Sequence, residues 1–319
     1  MPKAAVPDQE FIELWRTHGS AHKIASVTGI ALRKIFERRR RVEQRLNIKL
    51  ESVNKQSEHY KHLHPTEHSA RAHAEVKSGV VLVFSDAHFL EGVRTTAFRA
   101  LLQLCRELQP VAVVNNGDAF DGASISRHPR IAWESRPTVL SELKACKDSL
   151  EIIQDAAGNA KLFWPLGNHD TRFESRLSAN VPEFQGVGGF RLEDHFPAWR
   201  MCWSLWLNND TVVKHRYKNG IHATHNATLW AGKTIVTGHL HSLKVTPFSD
   251  YSATRWGVDT GTLADVNGPQ FTNYLEDSPV NWRSGFVVLT FHGGKLLWPE
   301  IVNVVGPAEY CFRGKVYKV

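Results

Sequence analysis

The chain reads as an α/β sandwich preceded by a small all-α module, and three observations predict this. From Gly79 onward, short apolar runs of buried-strand length alternate with segments of helical periodicity. Asp, Asn and His gather directly after those runs, where strands end and loops begin. Before Ser52 there is only helical spacing and a concentration of Lys and Arg.

Composition bounds the function classes. The 319 residues include 42% hydrophobic and 22% charged side chains, ordinary values for a globular chain. That length suits one core of about 200–250 residues plus a small appended module. No apolar run approaches the ~20 residues of a membrane span, so no membrane partner is expected. The first residues, Met1-Pro2-Lys3-Ala4-Ala5, lack the apolar core of a secretion signal. Cys105, Cys146, Cys202 and Cys311 are scattered without a C-x-x-C pair. Free thiols in a reducing cytoplasm are therefore expected, not disulfides or a thiolate metal site. The net charge of +7 is uneven: residues 1–52 hold eleven Lys/Arg against six Asp/Glu. Such a concentration suits a polyanionic partner.

Within residues 1–51 the spacing predicts three helices. Phe11, Leu14 and Trp15 share a face that closes at Gly19. Ser20 is a candidate N-cap for a short helix holding Ile24, Ala25 and Val27, which ends at Gly29. A long third helix carries Leu32, Ile35, Phe36, Val42 and Leu46 on one face. Arg33, Lys34, Arg38, Arg39, Arg40, Arg41 and Arg45 fall on the other. Helix, short helix, Gly-containing turn and basic helix form the helix-turn-helix pattern. Nucleic acid is the expected partner, with Arg33, Lys34, Arg38 and Arg41 as the contacts. The plainer alternative is a solvated basic helix that packs on the rest of the chain or serves as an oligomer arm.

Residues 52–78 are polar and include His59, His62, His64, His68 and His73. No cysteine lies there and no strand is expected to fix a metal geometry, so the stretch is read as a linker. Residues 79–319 form the main domain. An apolar run at 80–84 leads into Ser85-Asp86-Ala87-His88, and helical spacing follows over 95–108. The run 111–114 leads into Asn115-Asn116-Gly117-Asp118. A second helix is expected over 139–156. The run 162–166 then leads into Gly167-Asn168-His169-Asp170. Further short strands are expected at 201–207, 211–214, 234–237, 256–260, 285–290 and 295–298. Their alternation predicts antiparallel pairing. Trp133, Trp164, Trp199, Trp203, Trp206, Trp230, Trp256, Trp282 and Trp298 are expected mostly to fill the sandwich core.

Five motifs, each at an expected strand end, carry the chemistry: Asp86-x-His88, Gly117-Asp118-x-x-Asp121, Gly167-Asn168-His169-Asp170, His215 after Val212-Val213-Lys214, and Gly238-His239-x-His241. Together they offer enough oxygen and nitrogen donors for two divalent ions about 3.5–4 Å apart. Such a pair needs one bridging carboxylate, so that neither ion needs a private set of ligands. It also needs neutral imidazoles and an amide, which finish each shell without piling negative charge against a substrate phosphate. Asp118 is the expected bridge. Asp86, His88 and His241 complete one ion, and Asn168, His215 and His239 the other. For the fourth motif His222 is the alternative to His215. His169 follows a ligand on the same loop and suits a general acid; Asp170 is expected to orient it by accepting its second N–H. Arg172 and His128 are candidate contacts for the substrate phosphate.

This ligand signature resembles the calcineurin-like metallophosphoesterases over about residues 80–290. The phrase from Gly117 to Pro129 and the motif Gly238-His239-Leu240-His241-Ser242 further resemble phage-borne members. The resemblance implies a four-layer αββα fold, Mn²⁺ or similar ions (Mg²⁺, Ni²⁺, Zn²⁺ or Fe) and cleavage of phosphomonoesters or phosphodiesters. It departs at His215, which Arg216 follows where the family usually has Gly. Asp121 occupies a position that usually lies behind the ligands. The reaction expected is attack by a hydroxide that bridges the ions. A phosphodiesterase or nuclease acting on nucleic acid in a host cytoplasm is the leading expectation. The alternatives are a phosphomonoesterase on protein, nucleotide or DNA ends, and a DNA-binding phage protein with an idle hydrolase domain.

Overall fold

Apolar residues at helical spacing build the N-terminal unit, Met1–His68, as three helices: α1 (Asp8–His18), α2 (Ala21–Thr28) and α3 (Leu32–Leu46). Phe11, Trp15, Ile24, Ile35, Val42 and Leu50 form its core. Phe36 and Leu46, expected on that core face, are instead 44% and 46% exposed. Phe36 lies about 100° around the helix from Ile35, and Leu46 is the last helical residue.

The computed structural model describes residues 7–50, 70–131, 133–271, 275 and 277–319. His59, His62, His64 and His68 lie outside the described residues. The second unit, Ser69–Val319, begins inside the stretch read as a linker. Strand β1 (Arg71–Ala74) pairs in parallel with β6 (Ser204–Leu207) and buries Ala72 and Ala74. Two alanines alternating with Arg71 and His73 give too weak a pattern to read as a strand from sequence.

Two mixed sheets form the main unit. One has nine strands. Its path runs β15 (Lys315–Lys318), β14 (Glu309–Phe312), β13 (Glu300–Gly306), β11 (Gly285–His292), β2 (Gly79–Phe84), β3 (Ala112–Asn115), β4 (Lys161–Pro165) and β5 (Arg200–Cys202), with β12 (Lys295–Leu296) off this path against β11. The strands β2 to β5 are parallel, and the others are antiparallel. The other sheet has six strands in the order β1, β6, β7 (Thr211–Val213), β8 (Thr234–Thr237), β10 (Thr254–Asp259) and β9 (Lys244–Ser249). Here β7, β8 and β10 run parallel, against the antiparallel expectation, while β6 with β7, and β11 with β12 in the first sheet, pair antiparallel as expected. The run expected as one strand at 201–207 is divided at Trp203: β5 joins one sheet and β6 the other.

The two-residue period of the strands sorts the core into layers. Val81, Val83, Val114 and Phe163 face Leu205, Val213, Val236 and Val258 in a cluster between the sheets. Leu82, Phe84, Val113 and Trp164 pack on helices α4 (Thr96–Leu108) and α5 (Val139–Ala157) through Phe98, Leu101, Leu104, Leu150 and Ile153. A short helix α6 (Arg172–Asn180) follows the third motif, and α7 (Ala223–Ala231) covers the six-stranded sheet. This gives the αββα order. Of the tryptophans expected inside, Trp164 and Trp199 are buried, but Trp133, Trp203, Trp230 and Trp298 are each more than half exposed. No helix among the described residues is long and apolar enough to cross a membrane.

Candidate metal centre

The five motifs meet where β2, β3 and β4 of one sheet and β7 and β8 of the other run out. Asp86 and His88 donate backbone N–H bonds to Gly117 O and Asp118 O, at 2.9 and 3.0 Å, so the first two loops lie side by side. Gly238 N–H reaches His215 O at 3.0 Å and joins the fourth and fifth. Contact is tight enough to demand glycine: a Cβ at Gly167 would lie 2.0 Å from Asp118 Oδ1, and one at Gly238 2.7 Å from Asp86 Oδ2. Asp86, His88, Asp118, His239 and His241 all take positive φ, between 40° and 72°. Each costs of order 1 kcal/mol, and five together in one site mark a geometry kept for its function.

Each carboxylate is held by one oxygen and turned inward by the other. Asp86 Oδ2 accepts from His239 N–H at 2.9 Å and Asp118 Oδ1 from His169 N–H at 2.8 Å. The free oxygens face imidazoles: Asp118 Oδ2 lies 3.0 Å from His215 Nε2, and Asp86 Oδ1 lies 3.0 Å from His241 Nε2 and 3.9 Å from His215 Nε2. His215 Nδ1 stands 2.7 Å from the Asn116 carbonyl, so it carries the proton there and leaves Nε2 a lone pair. Lone pair then faces lone pair across the site. Asp86 Oδ1, His215 Nε2 and Asn168 Oδ1 are accordingly buried without a hydrogen-bond partner, an arrangement that a cation satisfies. Two clusters have the atoms for it, Asp86/His88/His241 and Asp118/His215/His239. A third, His88/Asp121/His169, shares His88.

Charge coupling fits the same reading. Burial alone would raise Asp86, but His241 and His215 lower it, to about 2. Burial would lower His215, yet Asp118 and Asp86 raise it, to about 10. Without a cation these carboxylates draw a proton onto His215; a metal ion displaces it. His239 is pushed the other way, to about 4, by burial and by the charge of His215.

Asp170 does not orient His169. It is buried and accepts five N–H bonds at 2.8–3.1 Å, from the backbones of Asp118, Ala119, Phe120 and Gly167 and from the Trp164 indole. It therefore sets the shape of the Asp118 loop. The orienting role falls to Asp121, whose Oδ1 lies 2.5 Å from His169 Nδ1 and 3.0 Å from His88 Nδ1. Burial would raise the Asp121 carboxyl, but those two imidazoles hold it well below the usual carboxylate range. The Gly-Asp-x-x-Asp spacing is the available signal for it, since the second Asp returns to the first loop's side. Asp259, also unforeseen, accepts from Ser242, Leu243 and Gly261 N–H at 3.0–3.3 Å and braces the turn after His241.

Arg172 reaches the same corner, with Nη2 3.2 Å from His169 Nε2 and Nη1 2.9 Å from Asp121 O. His128 is exposed, and its backbone bonds to Ser126 and Arg136. His222 stands exposed at the start of α7, whereas His215 is among the clustered donors.

In the N-terminal unit, Arg38 is half-buried, bonds Asp8 at 3.3 Å and lies over the Phe11 ring at 5.4 Å. Its side chain is engaged within the unit. Arg33 pairs with Glu37 at 3.0 Å. Lys34, Arg40 and Arg41 are exposed, with no ion pair among the described residues.

A family model for calcineurin-like phosphoesterases matches residues 79–315. The Gene 54 protein of Mycobacterium phage L5 is 25% identical over 249 residues, covering 69% of this chain and 92% of that protein. Its counterpart in Mycobacterium phage D29 is 23% identical over 251 residues, with the same coverage. Among solved structures, zinc-complexed Vps29 from Entamoeba histolytica is 13% identical, covers 75% of this chain and 96% of its own, and gives a TM-score of 0.38. The phosphoesterase Yfce from E. coli is 13% identical, covers 69% and 97%, and gives 0.32.

Proposed function

The chain belongs to the calcineurin-like phosphoesterase family, and on that premise we propose that it is a phosphodiesterase that cuts nucleic acid with two divalent ions, for which Asp118 would be the shared carboxylate. Asp86, His88 and His241 would hold one ion, and Asn168, His215 and His239 the other. When bound, two divalent ions, with Mn²⁺ favoured, supply a nucleophile at neutral pH and neutralise the charge on a phosphoryl group. The chain's residues do the rest. Two carboxylates with neutral imidazoles and one amide leave the centre positive toward an incoming diester. Asp121 fixes the His169 ring through Nδ1, and Nε2, which accepts from Arg172, becomes free to carry a proton to the departing oxygen once Arg172 turns to the phosphate. Arg172, beside the same nitrogen, takes a phosphate oxygen. Likeness to two mycobacteriophage proteins supports action in the cytoplasm of a phage host.

The observation that carries nucleic acid as substrate is the basic N-terminal unit. Lys34, Arg40 and Arg41 stand exposed on α3 while the neighbouring Arg38 and Arg39 are tied to Asp8 and Glu43. The test is a substrate panel with Mn²⁺: single- and double-stranded DNA and RNA beside bis-p-nitrophenyl phosphate and p-nitrophenyl phosphate. Cleavage of nucleic acid and of the small diester is expected. Hydrolysis of the monoester alone would replace this reading with a phosphatase.

A further inference from the structure

Between Thr211 and Ser249 the chain carries five Lys/Arg and no Asp or Glu. The rest of residues 53–319 holds 23 Lys/Arg and 26 Asp/Glu. The same acid-free stretch contains His215, His239 and His241, so Lys214, Arg216 and Lys218 adjoin a ligand of the metal centre in sequence. Arg216 directly follows His215, is exposed, and acts electrostatically on His239.

Aromatic rings interleave with these cations. Tyr217 is 39% exposed and Trp230, near the end of α7, is 70% exposed. Lys218 Nζ stands 3.9 Å from the Trp230 ring centre and 5.5 Å from that of Tyr217, and Lys214 Nζ is 5.3 Å from Tyr217. One ammonium thus lies against both rings, and phosphate-binding and base-stacking groups alternate over a short span. A large ring left this open gains little for the fold. Alternating cations and open rings are the equipment of a single-strand binder: phosphates meet the charges, and every base has a face to stack. A duplex keeps its bases stacked inside and offers only the phosphates.

We propose that Arg216, Tyr217, Lys218 and Trp230 form a cradle that holds single-stranded DNA beside the metal centre. The proposal rests on the nuclease reading above and narrows its substrate. DNA is chosen because a helix-turn-helix pattern on the same chain fits it.

The test uses full-length protein with Mn²⁺ and a fluorescein-labelled phosphorothioate oligo-dT, with a duplex of equal length and oligo-rU as parallel probes, read by anisotropy. Tyr217→Ala and Trp230→Ala are each expected to weaken oligo-dT binding at least five-fold while changing duplex binding less than two-fold. Trp230→Phe should recover most of the loss. If an alanine variant melts early, Lys218→Gln decides, with the expected result a weaker hold on oligo-dT and a shallower salt dependence. Unchanged oligo-dT binding, an equal loss on the duplex, or tighter binding of oligo-rU would overturn the cradle. Cleavage of unmodified oligo-dT is scored separately. Binding through Trp230 without cleavage contradicts the nuclease reading and leaves the cradle standing; cleavage with binding indifferent to Trp230 contradicts the cradle alone.

Discussion

Asp121 and Asp170 do opposite work. Asp170 neighbours His169 in sequence, which is why adjacency suggests a pair. Its carboxylate turns away into five N–H donors, and the partner of His169 comes from another loop. A contact between loops leaves no trace in local spacing, so this exchange of roles was not legible, whereas the ligand types at each strand end were. The two residues should separate in experiment. Asp170→Ala strips the shared acceptor from buried donors and is expected to cost about 3–5 kcal/mol, seen as a fall in melting temperature. Asp121→Asn keeps the hydrogen-bonding shape and should melt within a few degrees of the parent, while kcat falls about 10²-fold or more and its acid-limb pH dependence moves. Equal melting losses for both would refute the division.

The strands that place the centre were the readable ones. The strands β2, β3 and β4 are buried on both faces and so appear as continuous apolar runs, and helices α4 and α5 have strong periodicity. Strands β1, β9 and β15 give no such signal. They lie at sheet edges and expose alternate or most residues, and β9 even carries Pro247, which only an edge strand tolerates. Helix α5 contributes a buried carboxylate that the chemistry does not use. Glu142 accepts from Ala123 N–H at 2.9 Å with one oxygen and has no partner for the other. Burial first, then the charge of Asp121, raises its pKa from 4.5 to about 7. The native state therefore binds this proton more tightly than the unfolded chain. Stability from this group is full below the unfolded value and is lost as pH rises through about 7. The substitution Glu142→Gln should flatten that decline, worth about 2–3 kcal/mol between pH 4.5 and 7.5, in denaturant titrations at several pH values. An unchanged slope would show that Glu142 titrates normally.

At the scale of the whole molecule, a phosphoesterase domain with a full set of donors shares its chain with a separate basic helical unit. Sequence revealed both because one signal is a set of motifs and the other is charge density. It could not show which arginines of α3 are consumed within the unit. Replacing Lys34, Arg40 and Arg41 together by Gln should weaken duplex DNA binding and lower the salt slope by about 0.9 for each phosphate that is no longer neutralised; an unchanged slope would make α3 a solvated face. The central claim is the pair of ions at Asp118. Anomalous diffraction at the manganese edge, from crystals grown with Mn²⁺, tests it most directly. Two peaks about 3.5–4 Å apart are expected on either side of Asp118, one beside Asp86, His88 and His241 and the other beside Asn168, His215 and His239. A single peak among His88, Asp121 and His169, with none at Asp118, would contradict it and turn His169 from proton donor into ligand.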